Sequence, residues 1–560
     1  MNHFKNTAIT IGCVVFIFLS SCKNTTSQPN LDTLNLLRGE LKFCGDGQFG
    51  EVSFAESCSY ETRETFNLAI ALLHSFEYIE AEKAFVQVID ADPNCAMAYW
   101  GVAMSIYHGL WVPPTPSVLE KGVKLLSVAK SLPKSEKASQ YINAIDAFYT
   151  DWETTDNQSR KNAYAEKMKA LYEANKDDTE VAVFYALALR ASAEPSDKSY
   201  SKQREAGKIL EGLFKKAPNH PGIAHYIIHS YDYPELAHLG LNTARRYATI
   251  APNSAHAQHM PSHLFTRLGL WEESIATNIK SAESAVCYAE SLAPGAHWDE
   301  EVHAMGYLVY AYLQTGNTTL AREQYDYLKT FKELFPTNLK IAYTAAAIPS
   351  RIAVETKSWN EAAALELPQL PGLDWEKFPW QEALLRFAKA LGHIHLNDIE
   401  LASKELDTLH DLKEKLIANK DSYKANQVAI QIKSVAAWIN LKKGQSENAI
   451  TLMTTAADME SKTSKHPVTP GEILPADELL GDLLLALNKP EDALVAYELN
   501  LQRRPNRFNG VYGAALAAQQ AGQKEKASMY FKILLDLSQH TKSDRKEISE
   551  ARTYLNQKAI

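Results

Sequence analysis

Residues 62–95, TRETFNLAIALLHSFEYIEAEKAFVQVIDADPNC, decide the fold. Leu68, Ala69 and Leu72 recur at helical spacing in the first half, and Ala81 and Phe85 in the second. The small side chains Ala69 and Ala81 let two helices touch, while Leu72 and Phe85 fill the gap beside them. Pro93 then ends the second helix, because it lacks the N–H that would continue the ladder. The pattern returns further along. Ala206, Gly240 and Ser274 follow one another in steps of 34 residues. Gly481, Ala493, Tyr497 and Pro505 repeat it, and Ala527 and Phe531 come 34 residues after Ala493 and Tyr497. Ala321, Ala362, Ala402 and Ala449 add small residues at further helix contacts. A fixed period of this length belongs to a solenoid, in which each hairpin packs only on its neighbours.

The residues of the first unit fall at positions 7, 8, 11, 20, 24 and 32 of the tetratricopeptide repeat, and the chain resembles that family over most of residues 60–538. The resemblance implies an all-α, right-handed solenoid of about 10–12 helical hairpins. An N-terminal array is expected over residues 61–290 and a C-terminal array over 291–560, after a non-repeat segment at 22–60. Between residues 107 and 180 the periodicity is helical but the phase is blurred, around the loop WVPPTP at 111–116. A stiff, Pro- and Gly-containing loop, HPVTPGEILPADELLG at 466–481, interrupts the later repeats. With LLHSFEY, CAMAYWG and HMPSHLF, that loop resembles a bacterial family of long tetratricopeptide proteins, which brings a fold and no chemistry.

A length of 560 residues would ordinarily suggest about four domains, so the repeat changes the count to one continuous array. Lys and Arg number 58 against 67 for Asp and Glu, a net charge of −9 without a basic run, which argues against nucleic acid as a partner. The first residues carry an address. Lys5 precedes an apolar stretch at 9–19 that is too short to span a bilayer, as in a secretory signal occupying residues 1–21. Leu19-Ser20-Ser21-Cys22 resembles the bacterial lipobox, which implies cleavage before Cys22 and lipidation of its sulfur and amine. Lys23 rather than Asp follows, which favours the outer membrane, and the tether lacks the acidic run that would argue for the cell surface over the periplasmic face. The lipid anchor is then the only membrane contact.

Cys44, Cys58, Cys95 and Cys287 remain after processing, and an oxidising envelope permits disulfides. Cys58 and Cys95 are expected to start adjacent hairpins on one edge and to pair, with Cys44–Cys58 as the rival. No zinc-type C-x2-C spacing occurs.

Histidines give the sharpest signal. The family resemblance implies that positions 2, 5, 9, 12 and 13 of each first helix line a concave groove. His225, His229 and Asp232 take positions 5, 9 and 12 of the repeat 221–254. His256, His259 and His263 take positions 2, 5 and 9 of the repeat 255–288, and His303 takes position 2 of the next hairpin. An i, i+4 pair shares a helix face, and packed helices lie about 8–10 Å apart, so these groups are expected in one patch. His-x3-His is a common way to present two metal ligands, and imidazole with a carboxylate suits zinc, nickel, copper or iron. The segment AIPSRIAVETKSWNEAA at 347–363 echoes HMPSHLFTRLGLWEESI at 259–275, yet places Ala347 and Arg351 where His259 and His263 stand. The shared Pro-Ser therefore does not require histidine.

Three readings stay open: hydrogen-bonded structural polars, a peptide- or glycan-binding surface, and a metal site. His74 alone reads as structural, and Glu300 and Glu301 beside His297 offer only a vague general base. Glu478 and Asp482 suggest an acidic groove near the C-terminus. No H-E-x-x-H, P-loop or G-x-S-x-G is present, so no catalytic residue is assigned. The leading expectation is a lipid-anchored scaffold holding a protein or extended ligand in its groove. The lipobox, composition and length also look similar to lipoproteins of Bacteroidetes-type bacteria, which implies an accessory role in polysaccharide utilisation. The rival is a divalent-metal-binding protein or metallohydrolase.

Overall fold

The computed structural model describes residues 1, 31–56, 58–110 and 113–557. The signal segment, Cys22 and the start of the 111–116 loop lie outside them. Among the described residues there are 26 α-helical segments, from Arg63–His74 to Lys546–Gln557. Ala255–His259 and Pro261–Leu268 are one helix broken at Met260. With that broken helix counted as one, the helices pair in chain order into twelve antiparallel hairpins, and Lys546–Gln557 is left over as a terminal helix. The chain is an all-α solenoid of tetratricopeptide type. The one sheet among the described residues is a two-residue parallel bridge, His297–Trp298 beside Leu334–Phe335. No helix among the described residues is long and apolar enough to cross a membrane.

The small residues that set the period do the packing. Ala81, Ala206, Ser274, Ala321, Ala362, Ala402, Ala449, Ala493 and Ala527 are all fully buried between helices. The blurred phase at 107–180 has a simple cause. The loop between Ala96–Ser105 and Pro116–Ser131 lengthens that hairpin, and Gly122 rather than an alanine faces the neighbouring Tyr149. The expected division at 290/291 falls inside the continuous helix Trp271–Leu292, which packs on the first helix of its own hairpin and on the next hairpin.

Residues 31–56 have no α-helix but are not a free linker. Leu34, Phe49 and Phe54 are buried, and Phe54 sits among Phe66, Trp100, Tyr141 and Phe184. This segment straps several repeats together, with Glu51 N donating to Asn219 O at 3.0 Å. Cys58 pairs with Cys95, and Cys44 pairs with Cys287 rather than with Cys58; both pairs have Cα atoms 5.4 Å apart.

The solenoid winds tightly enough to fill its own interior, which corrects the expectation of an open groove. Phe76, in the turn of the first hairpin, packs its ring 4.3 Å from that of His225 in the fifth. From the other end, Lys465 Nζ reaches Asp232 at 3.0 Å, and Trp271 Nε1 donates to Asn506 O at 2.7 Å. Arg351 donates to Glu472 O and Gly471 O, fixing the 466–475 loop across the inner face. The expected acidic groove is likewise closed. Glu478 is buried and receives two hydrogen bonds from Arg507, while Asp482 accepts from Tyr497.

Candidate metal centre

The site is built on three successive first helices. Pro221–Tyr231 starts with proline at its first turn, where no N–H is needed, and His220 Nδ1 accepts from Ile223 N at 3.3 Å as its cap. His225 and His229 lie one turn apart on it, and Asp232 follows its last turn. Ser254 caps the next helix by accepting from Ala257 N at 3.0 Å. Pro261 removes an N–H and breaks that helix, with His259 before the break and His263 after it. His303 comes from Asp299–Gln314. All six histidines are at least 95 % buried, and Asp232 is 8 % exposed. They therefore form one interior cluster, not a solvent-facing patch.

His259, His263 and His303 form the first triad. One ligand atom from each lies within 4.8 Å of the others. His259 Nδ1 lies 2.7 Å from Asn278 Oδ1, and the Asn278 amide is oriented by its Nδ2 donating to Ser274 O at 2.7 Å. His259 Nδ1 is thus the donor. His263 Nδ1 lies 3.0 Å from Asp232 Oδ2 and donates to that carboxylate. A neutral imidazole has one N–H, so both Nε2 atoms carry lone pairs, and they face each other at 3.0 Å. Burial holds His259 and His303 well below the usual imidazole range and also lowers His263. Asp232 already binds Arg267 Nε at 2.9 Å and Lys465 Nζ at 3.0 Å, so its charge is shared before His263 is counted. A cation coordinated between the nitrogens would resolve the opposed lone pairs. The oxygen acceptors on Nδ1 are the outer-shell partners that orient metal-binding histidines.

His225, His229 and His256 form a second triad with ligand atoms again within 4.8 Å. His225 Nδ1 donates to His74 O at 2.7 Å, and its Nε2 faces His256 Nε2 at 3.2 Å. Burial holds His225 and His229 well below the usual range.

His74, Glu180 and His220 form a third close group that works differently. Each Glu180 oxygen receives one imidazole N–H, from His74 at 3.0 Å and His220 at 2.8 Å. The remaining nitrogens accept from Tyr226 Oη and Ile223 N. Every donor meets an acceptor, so this network needs no cation. In sequence His74 stands alone, and the structure brings Glu180 and His220 to it. Pro221 just after His220 was a capping signal, whereas nothing local marked Glu180. His297 pairs with Glu301 at 2.8 Å, apart from the triads, whereas Glu300 Oε2 approaches His256 Nδ1 to 3.7 Å.

The chain is similar in course to several helical-repeat structures. A human IFIT1 dimer with PPP-AAAA matches at 13 % identity over 83 % of this chain and 94 % of that one, with TM-score 0.34. The APC/C hetero-tetramer Cut9–Hcn1 matches at 12 % identity over 88 % and 90 %, with TM-score 0.31. Naa15/Naa10 bound to HypK-THB matches at 14 % over 89 % and 81 %, with TM-score 0.24. Likeness this distant carries no argument about ligands. No protein-family model and no curated protein matches the chain.

Proposed function

We propose that this helical-repeat chain is a metal-binding protein whose centre is His259, His263 and His303. The observation that carries the reading is the pair of Nε2 atoms facing each other at 3.0 Å, with both Nδ1 atoms engaged by oxygen acceptors. Three imidazoles suit zinc, copper or nickel. Three protein ligands also leave a coordination position for an outside group, the arrangement of catalytic rather than structural zinc, which extends the reading to a metallohydrolase. Its test is elemental analysis of the full chain purified without chelator or affinity histidines. Stoichiometric metal and a raised melting temperature on adding zinc, nickel or copper are expected, with both reduced in His259→Ala. No bound metal and no melting shift would reject the reading.

The setting we propose is a lipid-anchored protein of the outer membrane, facing the periplasm, with Cys22 as the lipid site. The pairs Cys44–Cys287 and Cys58–Cys95 support an oxidising compartment. Labelling with radioactive palmitate should follow the protein into the membrane fraction and vanish in Cys22→Ala. A protein- or glycan-holding role, including service to a polysaccharide-utilisation system, rests on a smaller feature. With the central groove filled, one cavity among the described residues, of about 270 Å³, is bordered by Tyr200, Tyr233, Arg267 and Arg503. That volume suits the end of a chain rather than an extended one. Neighbouring genes for lyases, sulfatases or glycoside hydrolases would support the glycan form of this role, and their absence would remove it.

A further inference from the structure

We propose that His225, His229 and His256 form a second metal site directly beside the first, so that the centre holds two ions. The proposal rests on the single-site reading above and deepens it.

The second triad repeats one half of the first triad's arrangement: a single Nε2 lone pair is fixed and faces a neighbouring imidazole nitrogen. His225 Nδ1 donates to a backbone carbonyl, His74 O at 2.7 Å, which only accepts. His225 Nε2 therefore carries a lone pair, and it points at His256 Nε2 3.2 Å away. Glu300 is the independent second observation. Its Oε1 receives Lys340 Nζ at 2.5 Å, but its Oε2 is buried with no hydrogen-bond partner among the described residues, and His256 Nδ1 is 3.7 Å away. A carboxylate oxygen left in this state beside an imidazole is placed to take up an Nδ1–H when His256 turns its Nε2 to a metal. The roof over this triad is the Phe76 ring, with centroids 4.3 Å from His225 and 5.5 Å from His229 and His256. An apolar ring on that side offers the triad no hydrogen bond.

The two triads touch. His229 and His263 have ring centroids 6.4 Å apart, and His256 and His259 6.5 Å. Those separations match the 6.5 Å between His263 and His303 inside the first triad. No side chain therefore needs to intervene between the two ligand sets. Paired ions held this way can act on the two ends of one bridging group, as two-metal sites do. The ligand class is an imidazole-preferring transition ion: zinc, copper, or cobalt as a spectroscopic probe.

The arrangement without a second ion would be a hydrogen bond in which His256 Nε2 donates to His225 Nε2. Cobalt(II) separates the alternatives. The full chain, freed of metal and titrated with cobalt(II), should develop its visible absorption up to two equivalents, with elemental analysis agreeing. His256→Ala should stop at one equivalent. Saturation at one equivalent in the unaltered chain would overturn the second site and leave the first standing. Two equivalents that persist in both His225→Ala and His256→Ala would also overturn it. Failure to bind at all would remove both. Should His256→Ala not fold, the spin resonance of the doubly loaded unaltered chain decides. Two ions this near weaken each other's signal, whereas an integrated intensity of two independent ions would overturn adjacency.

Discussion

Burial acts on single side chains here with consequences for stability, and Glu77 is the clearest case away from the histidines. It precedes the helix Tyr78–Ala91, is 9 % exposed, and its Oε1 accepts from Ser254 Oγ at 2.6 Å. Burial pushes its carboxyl up to about 8, against the smaller lowering by Ser254. The folded chain thus holds a proton that the unfolded chain releases near the ordinary carboxyl range. That stabilisation is complete below about pH 4.5 and is lost as the pH rises through about 8, on the order of a few kcal/mol in all. Glu77→Gln keeps an acceptor for Ser254 without a charge to bury. The difference in melting temperature between variant and parent should therefore grow in favour of the variant from pH 5 to pH 8.5. A constant difference would mean that Glu77 is not held neutral. The same scale explains what was legible at the centre. The i, i+4 spacing of the histidines showed which groups share a helix face. Their burial was not legible, because the covering groups Phe76 and Lys465 arrive from distant parts of the chain.

Between elements, the fold depends on which helix contacts admit a side chain. Gly101, in Ala96–Ser105, is a contact where even a methyl does not fit: an added Cβ would lie 2.3 Å from the Phe85 ring of the preceding helix. Phe85 is fully buried and has no room to withdraw. Gly101→Ala is expected to cost about 1–3 kcal/mol by overpacking. Gly212 lies in the exposed face of Ser201–Phe214 with nothing within 4 Å of the same position. Gly212→Ala should stabilise by about 0.5–1 kcal/mol, since alanine loses less backbone freedom on forming helix. Urea midpoints of the two variants should move in opposite directions, and a shared direction would contradict the packing account. The solenoid was readable from such contacts because small residues at a fixed period leave a mark that survives low sequence likeness. The 107–180 stretch was not readable in phase because one long hairpin loop moved Gly122 off the period, although Gly122 meets Tyr149 as a helix contact should. The strap at 31–56 was missed for another reason. Phe49 and Phe54 bury without helical or strand periodicity, so no pattern announces them.

Across the whole molecule, closure of the solenoid on itself is secured by a few long-range polar links. Cys44–Cys287 spans 243 residues and ties the strap to the sixth hairpin. Its removal in Cys44→Ser with Cys287→Ser should lower stability by about 2–5 kcal/mol, as lost disulfides do, read as a lower urea midpoint under oxidising conditions. Arg507 does the corresponding work at the other end. It is fully buried just ahead of Phe508–Gln520, and donates twice to Glu478 at 2.9 Å, to Glu355 at 2.9 Å and to Tyr310 Oη at 3.0 Å. Those partners come from three other hairpins, two of them more than 150 residues away. Glu355 and Glu478 are 1 % and 2 % exposed, so truncating the arginine leaves two carboxylates buried without their cation. Arg507→Ala should cost about 3–5 kcal/mol, the usual result of breaking a buried ion pair from one side. A variant with Glu355→Gln and Glu478→Gln added should recover much of the loss, since it removes the stranded charges and not merely a contact. The site also lies beside Arg504, which holds Glu460 and Glu472 at 2.8 and 2.9 Å, so the 466–475 loop should loosen with it. Limited proteolysis of Arg507→Ala is accordingly expected to cut within that loop at protease levels the parent chain resists. Equal resistance, or a stability loss below about 1 kcal/mol, would show that apolar contact alone closes the solenoid and that Arg507 merely fills the seam.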